Sequence, residues 1–272
     1  MPPATNRRFY LTRPTLFRVE YSINQWMDPQ VQVEPQRAQQ QWDALHQADL
    51  DLGAQVEVLD SSPGWPDSVF TGDSIFLYGK QAIASRFRYA ERSGEVEPQV
   101  QRFEQRDYTV HRLPEGMYFE GNGEAVYWNG RLLAGYGVRS DRAALDFVAG
   151  TLGVEVVPIH ILPPHFHVDT VLCPLDESTL AYVPSAIAPE SLEVIRGLGA
   201  TLIEIDAEEG SRLAGNSMSV AGKVILSTVN APRFHKALEA AGFQVRPLDL
   251  SEFAKSGGGA KCLTLEAYSF EE

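Results

Sequence analysis

Five residues with reactive or strongly polar side chains recur at almost constant spacing: Asp73, Glu120, Asp169, Asn216 and Cys262, separated by 47, 49, 47 and 46 residues. A cysteine offers a nucleophile through its thiolate. The acids offer proton transfer, or counter-charge for a cation. His167, in "PPHFHVDT", stands two residues before Asp169. A thiol, an imidazole, a carboxylate partner and further acids suit nucleophilic attack on a positively charged planar carbon. The guanidinium of arginine is such a group, always protonated and carrying a fork of donors that matches carboxylates.

Each residue also has a plainer reading. Free cysteine is a common small core residue. Cys262, however, follows three glycines in "KSGGGAKCLTLE", and glycines let a substrate approach the backbone closely. Cys173, in "VDTVLCPLD", has no such setting and reads as core. His46 and His235 fall in helical segments without partners. His165, His167 and Asp169 alternate, so on an extended strand they share a face, which admits a His-x-His-x-Asp metal site as an alternative. Asp73 and Glu120 lie beside glycine and close behind aromatic residues, in "PDSVFTGDSIF" and "MYFEGNGEAV". Buried there, they would need a cation or hydrogen-bond donors. Arg92 and Arg139, in "AERSGE" and "AGYGVRSD", read either as surface charges or as loop residues able to clamp a carboxylate.

The elements that must position these residues also repeat. Five segments have helical periodicity, and four of them stop at Gly53, Gly153, Gly199 and Gly242; Ser140 is the expected cap of "SDRAALDFVAGTLG". A short β-branched run follows each helix, then a loop, then a hairpin whose turn falls near "YGKQ", "WNGR", "LDES" or "AGK". A period of this length predicts a repeat architecture. The polar residues are expected at the heads of the second strands. The last unit lacks a closing strand, and the N-terminal "RRFYLTRP" has no repeat of its own. Together they predict an α/β fold, a five-bladed propeller with pseudo-fivefold symmetry in which the N-terminal strand closes the ring. The five residues would then meet at one end of a central channel. A sheet with ordinary right-handed crossovers is the alternative.

Composition sets outer bounds. With 44% hydrophobic and 22% charged residues over 272 positions, the chain reads as an ordinary globular protein with a large core. A net charge of −13 argues against nucleic acid as a partner. The apolar runs are too short to span a membrane, and "MPPATNRRFYLTRP" lacks a signal-peptide core. Two cysteines at unrelated spacing make neither a disulfide framework nor a four-ligand zinc site, so a cytoplasmic location is expected.

The motifs "PDSVFTGDS", "FEGNG", "HVDT" and "GGGAKCLTL" resemble, in order and nearly end to end, those of the guanidino-group-modifying enzymes: arginine deiminase, dimethylarginine dimethylaminohydrolase and the amidinotransferases. The resemblance implies one five-bladed domain over residues 1–272, no metal or cofactor, a small guanidino molecule as partner, and admits a homodimer. It implies Cys262 as nucleophile, His167 as general acid and base, and Glu120 as the acid supporting the histidine. Asp73 and Asp169 would grip the guanidinium nitrogens, with Asp67 as a further substrate-side acid. Arg92 and Arg139 would hold the substrate carboxylate, and Asn24 would contact the substrate. The implied activity is hydrolysis of arginine or a methylarginine to citrulline through a covalent thiouronium. Amidinotransfer, arginine dihydrolysis to ornithine and simple guanidino binding are the alternatives. "HVDT" resembles the deiminase and transferase form, Gly72 stands where the dimethylarginine enzymes often carry glutamate, and short arginine-to-ornithine relatives share "GGGAKCLTL" but tend to have asparagine in place of Asp73.

Overall fold

The computed structural model describes residues 8–220, 222 and 224–268. In chain order the strands are β1 (Arg8–Thr12), β2 (Gln55–Leu59), β3 (Ile75–Tyr78), β4 (Gln81–Ala84), β5 (Thr109–Arg112), β6 (Ala125–Trp128), β7 (Arg131–Tyr136), β8 (Glu155–His160), β9 (Leu172–Pro174), β10 (Thr179–Tyr182), β11 (Thr201–Glu204), β12 (Met218–Val220), β13 (Val224–Thr228), β14 (Gln244–Leu248) and β15 (Thr264–Tyr268).

They obey one pairing rule. In β3–β4–β5, β6–β7–β8, β9–β10–β11 and β12–β13–β14, the first strand is antiparallel to the second and the second parallel to the third. The fifth unit is β15–β1–β2, with the N-terminal strand in the middle place, Arg8 opposite Ala267 and Gln55. The parallel pairs require a crossover, and a helix supplies each. The crossover helices are Pro35–Asp51, Val96–Glu104, Arg142–Leu152, Pro189–Gly197 and Pro232–Ala240. β15 also pairs with β3, so the fifth and first units share a six-stranded sheet while the other three remain three-stranded. The fold is α/β and repeats as the sequence predicts, although no hydrogen-bonded ring joins all the sheets among the described residues.

Local signals account for these elements. Gly53, Gly153, Gly199 and Gly242 all have positive φ just beyond their helices, while Val96–Glu104 is followed by Asp107 at φ 61°. Asn129 and Gly130 both turn left-handed in "WNGR", as a two-residue hairpin requires. The "AGK" turn includes Ala221 and Lys223, which lie outside the described residues. Ser140 is not a helix cap: Arg142–Leu152 begins after Asp141, and the Ser140 hydroxyl accepts from the Glu120 N–H instead. Trp42 and Leu45 of the first crossover helix pack in one apolar cluster with Phe9 and Leu11 of β1, a cluster that also holds Phe70, Phe253 and Cys262. None of the described helices is long and apolar enough to cross a membrane.

The polar residues lie in short turns leading into the strands rather than at the strand heads. Asp73 closes on Phe70 through an N–H to carbonyl bond of 3.1 Å, Asn216 on Leu213 at 3.0 Å, and Asp169 and Cys262 lie in the turns Val168–Thr170 and Ala260–Leu263. Glu120 stands further back, ahead of the turn Gly121–Gly123, and Asn122 occupies the place nearer its strand. These turns break the strand pattern because they bond within themselves.

Candidate active site

Cys262 sits in the turn Ala260–Leu263 with its side chain buried. Its thiol donates to Asp169 Oδ2 at 3.2 Å and accepts from Asn216 Nδ2 at 3.0 Å. Ligand atoms of Asp73, Asp169 and Cys262 all fall within 4.8 Å of one another. Burial, reinforced by Asp169 and Asp73, pushes the thiol well above its ordinary pKa. Burial likewise lifts Asp169 to about 7, with Asp73 adding to it. Without a cation, the sulfur is held as a thiol.

His167 is buried beside this cluster. Its Nε2 lies 2.8 Å from Glu120 Oε2, which also accepts from Arg139 Nη1 at 2.9 Å; Glu120 Oε1 accepts from the Arg88 N–H at 3.0 Å. Burial opposes ionisation of Glu120, but Arg139 and His167 outweigh it and hold the carboxyl at about 2. Burial also opposes the imidazolium, and Asp73, Glu120 and Glu124 overcome it, so the His167 pKa is raised. Its Nδ1 lies 3.9 Å from Asp73 Oδ1. Gly123 makes this approach sterically open, because a Cβ there would meet both His167 Nδ1 and Asp73 Oδ1.

Among the described residues, the buried carboxyl oxygens Asp67 Oδ1, Asp73 Oδ1 and Asp169 Oδ1 have no hydrogen-bond partner. Asp67 Oδ2 accepts from the Tyr21 hydroxyl at 2.7 Å, and burial raises its pKa. Cys262, Asp73, Asp67 and Asn24 line one pocket with Phe70 and Phe166. Buried carboxylate oxygens demand donors. A planar cation with several N–H groups would meet that demand, with the sulfur at hand.

A model of the family described as N,N dimethylarginine dimethylhydrolase, eukaryotic, matches residues 11–269. The chain belongs to this family. It is a hydrolase of C–N bonds in linear amidines. An N(G),N(G)-dimethylarginine dimethylaminohydrolase of Mycobacterium tuberculosis is 37% identical over 96% of this chain and 86% of that protein. The bifunctional arginine dihydrolase/ornithine cyclodeaminase ArgZ of Synechocystis is 38% identical over 96% of this chain, which spans 38% of ArgZ. The crystal structure of the ArgZ N-terminal domain covalently bound to a reaction intermediate superposes with a TM-score of 0.92 at 33% identity, covering 97% of this chain and 98% of that domain.

Of the two readings of the arginines, the surface charge is excluded by the burial of both. Arg92 spends its guanidinium on acids of its own chain, with Nε and Nη2 on Glu95 at 2.9 and 2.8 Å and Nη1 on Asp73 at 2.7 Å. Arg139 donates from Nη2 to the Ile23 carbonyl, lies between the rings of Tyr89 and Phe166, and keeps a buried Nε without a partner. Asn24 lines the pocket while tying two segments together: Nδ2 donates to the Ser256 carbonyl and Oδ1 accepts from the Trp26 N–H. His165 does not join His167 and Asp169. It packs edge-on to Trp26, and burial lowers its pKa to about 4. The glycine run serves packing, since a Cβ on Gly258 would enter the Phe70 ring and one on Gly259 would press on Asn216. Cys173 is core, with its thiol on the Ser217 carbonyl. Sequence reasoning missed Glu95, Tyr21 and Glu124, whose local sequence gives no sign of burial.

Proposed function

We propose that this protein hydrolyses the guanidino group of arginine or an N-methylated arginine to citrulline. The observation that carries the reading is the Cys262 thiol on Asp169, with Asp73 alongside and His167 anchored by Glu120. The guanidinium binds between the unpaired oxygens of Asp73 and Asp169, with Asp67 behind them. Its charge offsets the acids that suppress ionisation, so the thiol releases its proton to solvent as substrate arrives. The Cys262 thiolate attacks the guanidinium carbon. His167, as imidazolium, gives its proton to the departing amine, and ammonia or a methylamine leaves. A covalent S-alkylthiouronium remains on Cys262. His167, now neutral, takes a proton from water as the water oxygen adds to that carbon. The adduct collapses, the C–S bond breaks, the hydroxyl proton passes to the sulfur, and the neutral ureido product departs with the thiol restored. Glu120 keeps the imidazole oriented and its charged form stable, as a carboxylate held at about 2 can.

Substrate carboxylate recognition falls to Arg139 in this reading, because its Nε is unspent while Arg92 is fully engaged by Glu95 and Asp73. Arg92 acts through Asp73, and Asn24 fixes the pocket wall. A second reading, arginine dihydrolysis to ornithine, is supported by the 0.92 TM-score to the ArgZ domain. The five units, which share one pairing rule, are read as the blades of a five-bladed α/β propeller with the site at one end of its axis. A homodimer suits the family, and two cysteines at unrelated spacing suit a reducing, cytoplasmic compartment.

The test is incubation of purified protein with arginine and with dimethylarginine, measuring citrulline, ornithine, ammonia and dimethylamine. Citrulline with one equivalent of amine is expected, and Cys262→Ser is expected to abolish it. Ornithine with ammonia would select the dihydrolase reading; a requirement for an added amine would mark an amidinotransferase. No product from either substrate would sink the proposal.

A further inference from the structure

We infer that Asn216 is a further catalytic residue of this site, fixing the Cys262 sulfur in place and donating a hydrogen bond to it as the thiolate forms; this rests on Cys262 being the nucleophile. Asn216 is 2% exposed, and its carboxamide is used at both ends. Oδ1 accepts from the backbone N–H of Gly259 at 2.7 Å and of Cys262 at 3.2 Å. Two converging N–H donors decide which end of the amide is oxygen, because the reversed amide would set NH2 against N–H groups. Nδ2 therefore faces the other way. It donates to the Asp169 carbonyl at 3.0 Å and to Cys262 Sγ at 3.0 Å.

The arrangement binds three parts of the site through one rigid side chain: the glycine run, the nucleophile, and the backbone of the acid that faces it. Two side chains are hydrogen-bonded to Sγ, and they are not equivalent. Asp169 accepts from the thiol and, once ionised, has nothing to donate. Asn216 donates whether the sulfur is protonated or not, and a donor favours the charged form. In the fourth unit Asn216 holds the place that Asp73, Asp169 and Cys262 hold in theirs. An acid there would add a further negative charge against the sulfur. The amide supplies a similar shape with a donor instead.

The test compares wild type with Asn216→Asp and Asn216→Ala. Cys262 is alkylated with iodoacetamide from neutral to alkaline pH, and the rate is followed by peptide mass. Asn216→Asp keeps the volume and both acceptor contacts but loses the donor. Its alkylation profile is expected to move to higher pH, and kcat/KM for the guanidino substrate is expected to fall about 10–100-fold, the worth of a hydrogen bond to a charged group. Arginine binding measured in a Cys262→Ser background is expected to stay close to that of Cys262→Ser alone when the uncharged Asn216→Ala is added, which separates a role at the sulfur from damage to the pocket. A wild-type alkylation profile with near-wild-type turnover in either variant would overturn the assignment. So would loss of cooperative melting in both, which would make Asn216 a structural anchor only. If wild type itself turns over no guanidino substrate, the function fails, yet the alkylation profiles still judge Asn216.

Discussion

Glu124 is fully buried just ahead of β6, beside His167, and the proposed chemistry gives it no task. Burial lifts its pKa from an ordinary 4.5 to about 8; His167 opposes the rise, while Glu120 and Asp169 add to it. In the unfolded chain the group ionises near its ordinary value. Between about 4.5 and 8 the folded state therefore holds a proton that the unfolded state has lost, and stability falls as pH rises through that window. Glu124→Gln is neutral throughout and removes the effect. Thermal melts should show the variant gaining on wild type from pH 5 to pH 9, with the largest advantage at the alkaline end. A difference that is constant with pH would show that Glu124 is no more ionisable when unfolded than when folded. At this scale the sequence was most legible where residue type and period coincided, as at Cys262 and Asp169. It was least legible where function depends on what a side chain meets. Nothing in "AERSGE" reveals that Arg92 is neutralised by Glu95 three residues on and by Asp73. Asn216 carried the period but no reactive group, so its contacts with the sulfur emerged only from the structure.

The element that carries the nucleophile is short, and its neighbours hold it. Gly258 does not need a left-handed backbone, but the Phe70 ring occupies the space where a Cβ would lie. Phe70 packs in turn on Phe17, so it has little freedom to retreat. Gly258→Ala should destabilise the protein by about 1–3 kcal/mol, the usual result of overpacking. Displacing the run 257–259 also moves the Gly259 N–H off Asn216, so kcat/KM should fall more than stability alone explains. Gly150 is the control. It lies within the helix Arg142–Leu152 with nothing near its missing Cβ, and Gly150→Ala should leave turnover intact and stabilise by about 0.5–1 kcal/mol. Equal effects at the two sites would remove the packing argument. Helix ends were legible because glycine marks four of them, whereas the strand heads were misplaced by a few residues. There the chain closes local turns before pairing begins, and β-branched composition does not report where a turn ends.

At the scale of the whole molecule, the pairing of β1 is the fact on which the fifth unit depends. Four units have their first two strands joined by a hairpin turn, and the fifth makes the same antiparallel pair from opposite ends of the chain, Arg8 against Ala267. The Arg8 end of β1 and the Tyr268 end of β15 thus stand where a hairpin turn joins the strands in the other units. If the register and not the connection holds each unit together, the gap can be moved. A circular permutant would join Tyr268 to Arg8 through a short flexible linker replacing residues 1–7 and 269–272. Its new termini would open the exposed "LDES" turn between Glu177 and Ser178, separating β9 from β10 as β15 is separated from β1. It should melt cooperatively and retain turnover within about threefold, since exposed turns tolerate such cuts. A truncation lacking residues 1–13 should not, because β15 and β2 would both lose their shared partner and present open edges. A folded, active truncation would mean that β1 merely covers an already stable sheet. A permutant that fails while the parent chain folds would mean that the β9–β10 turn contributes more than the strand register it joins.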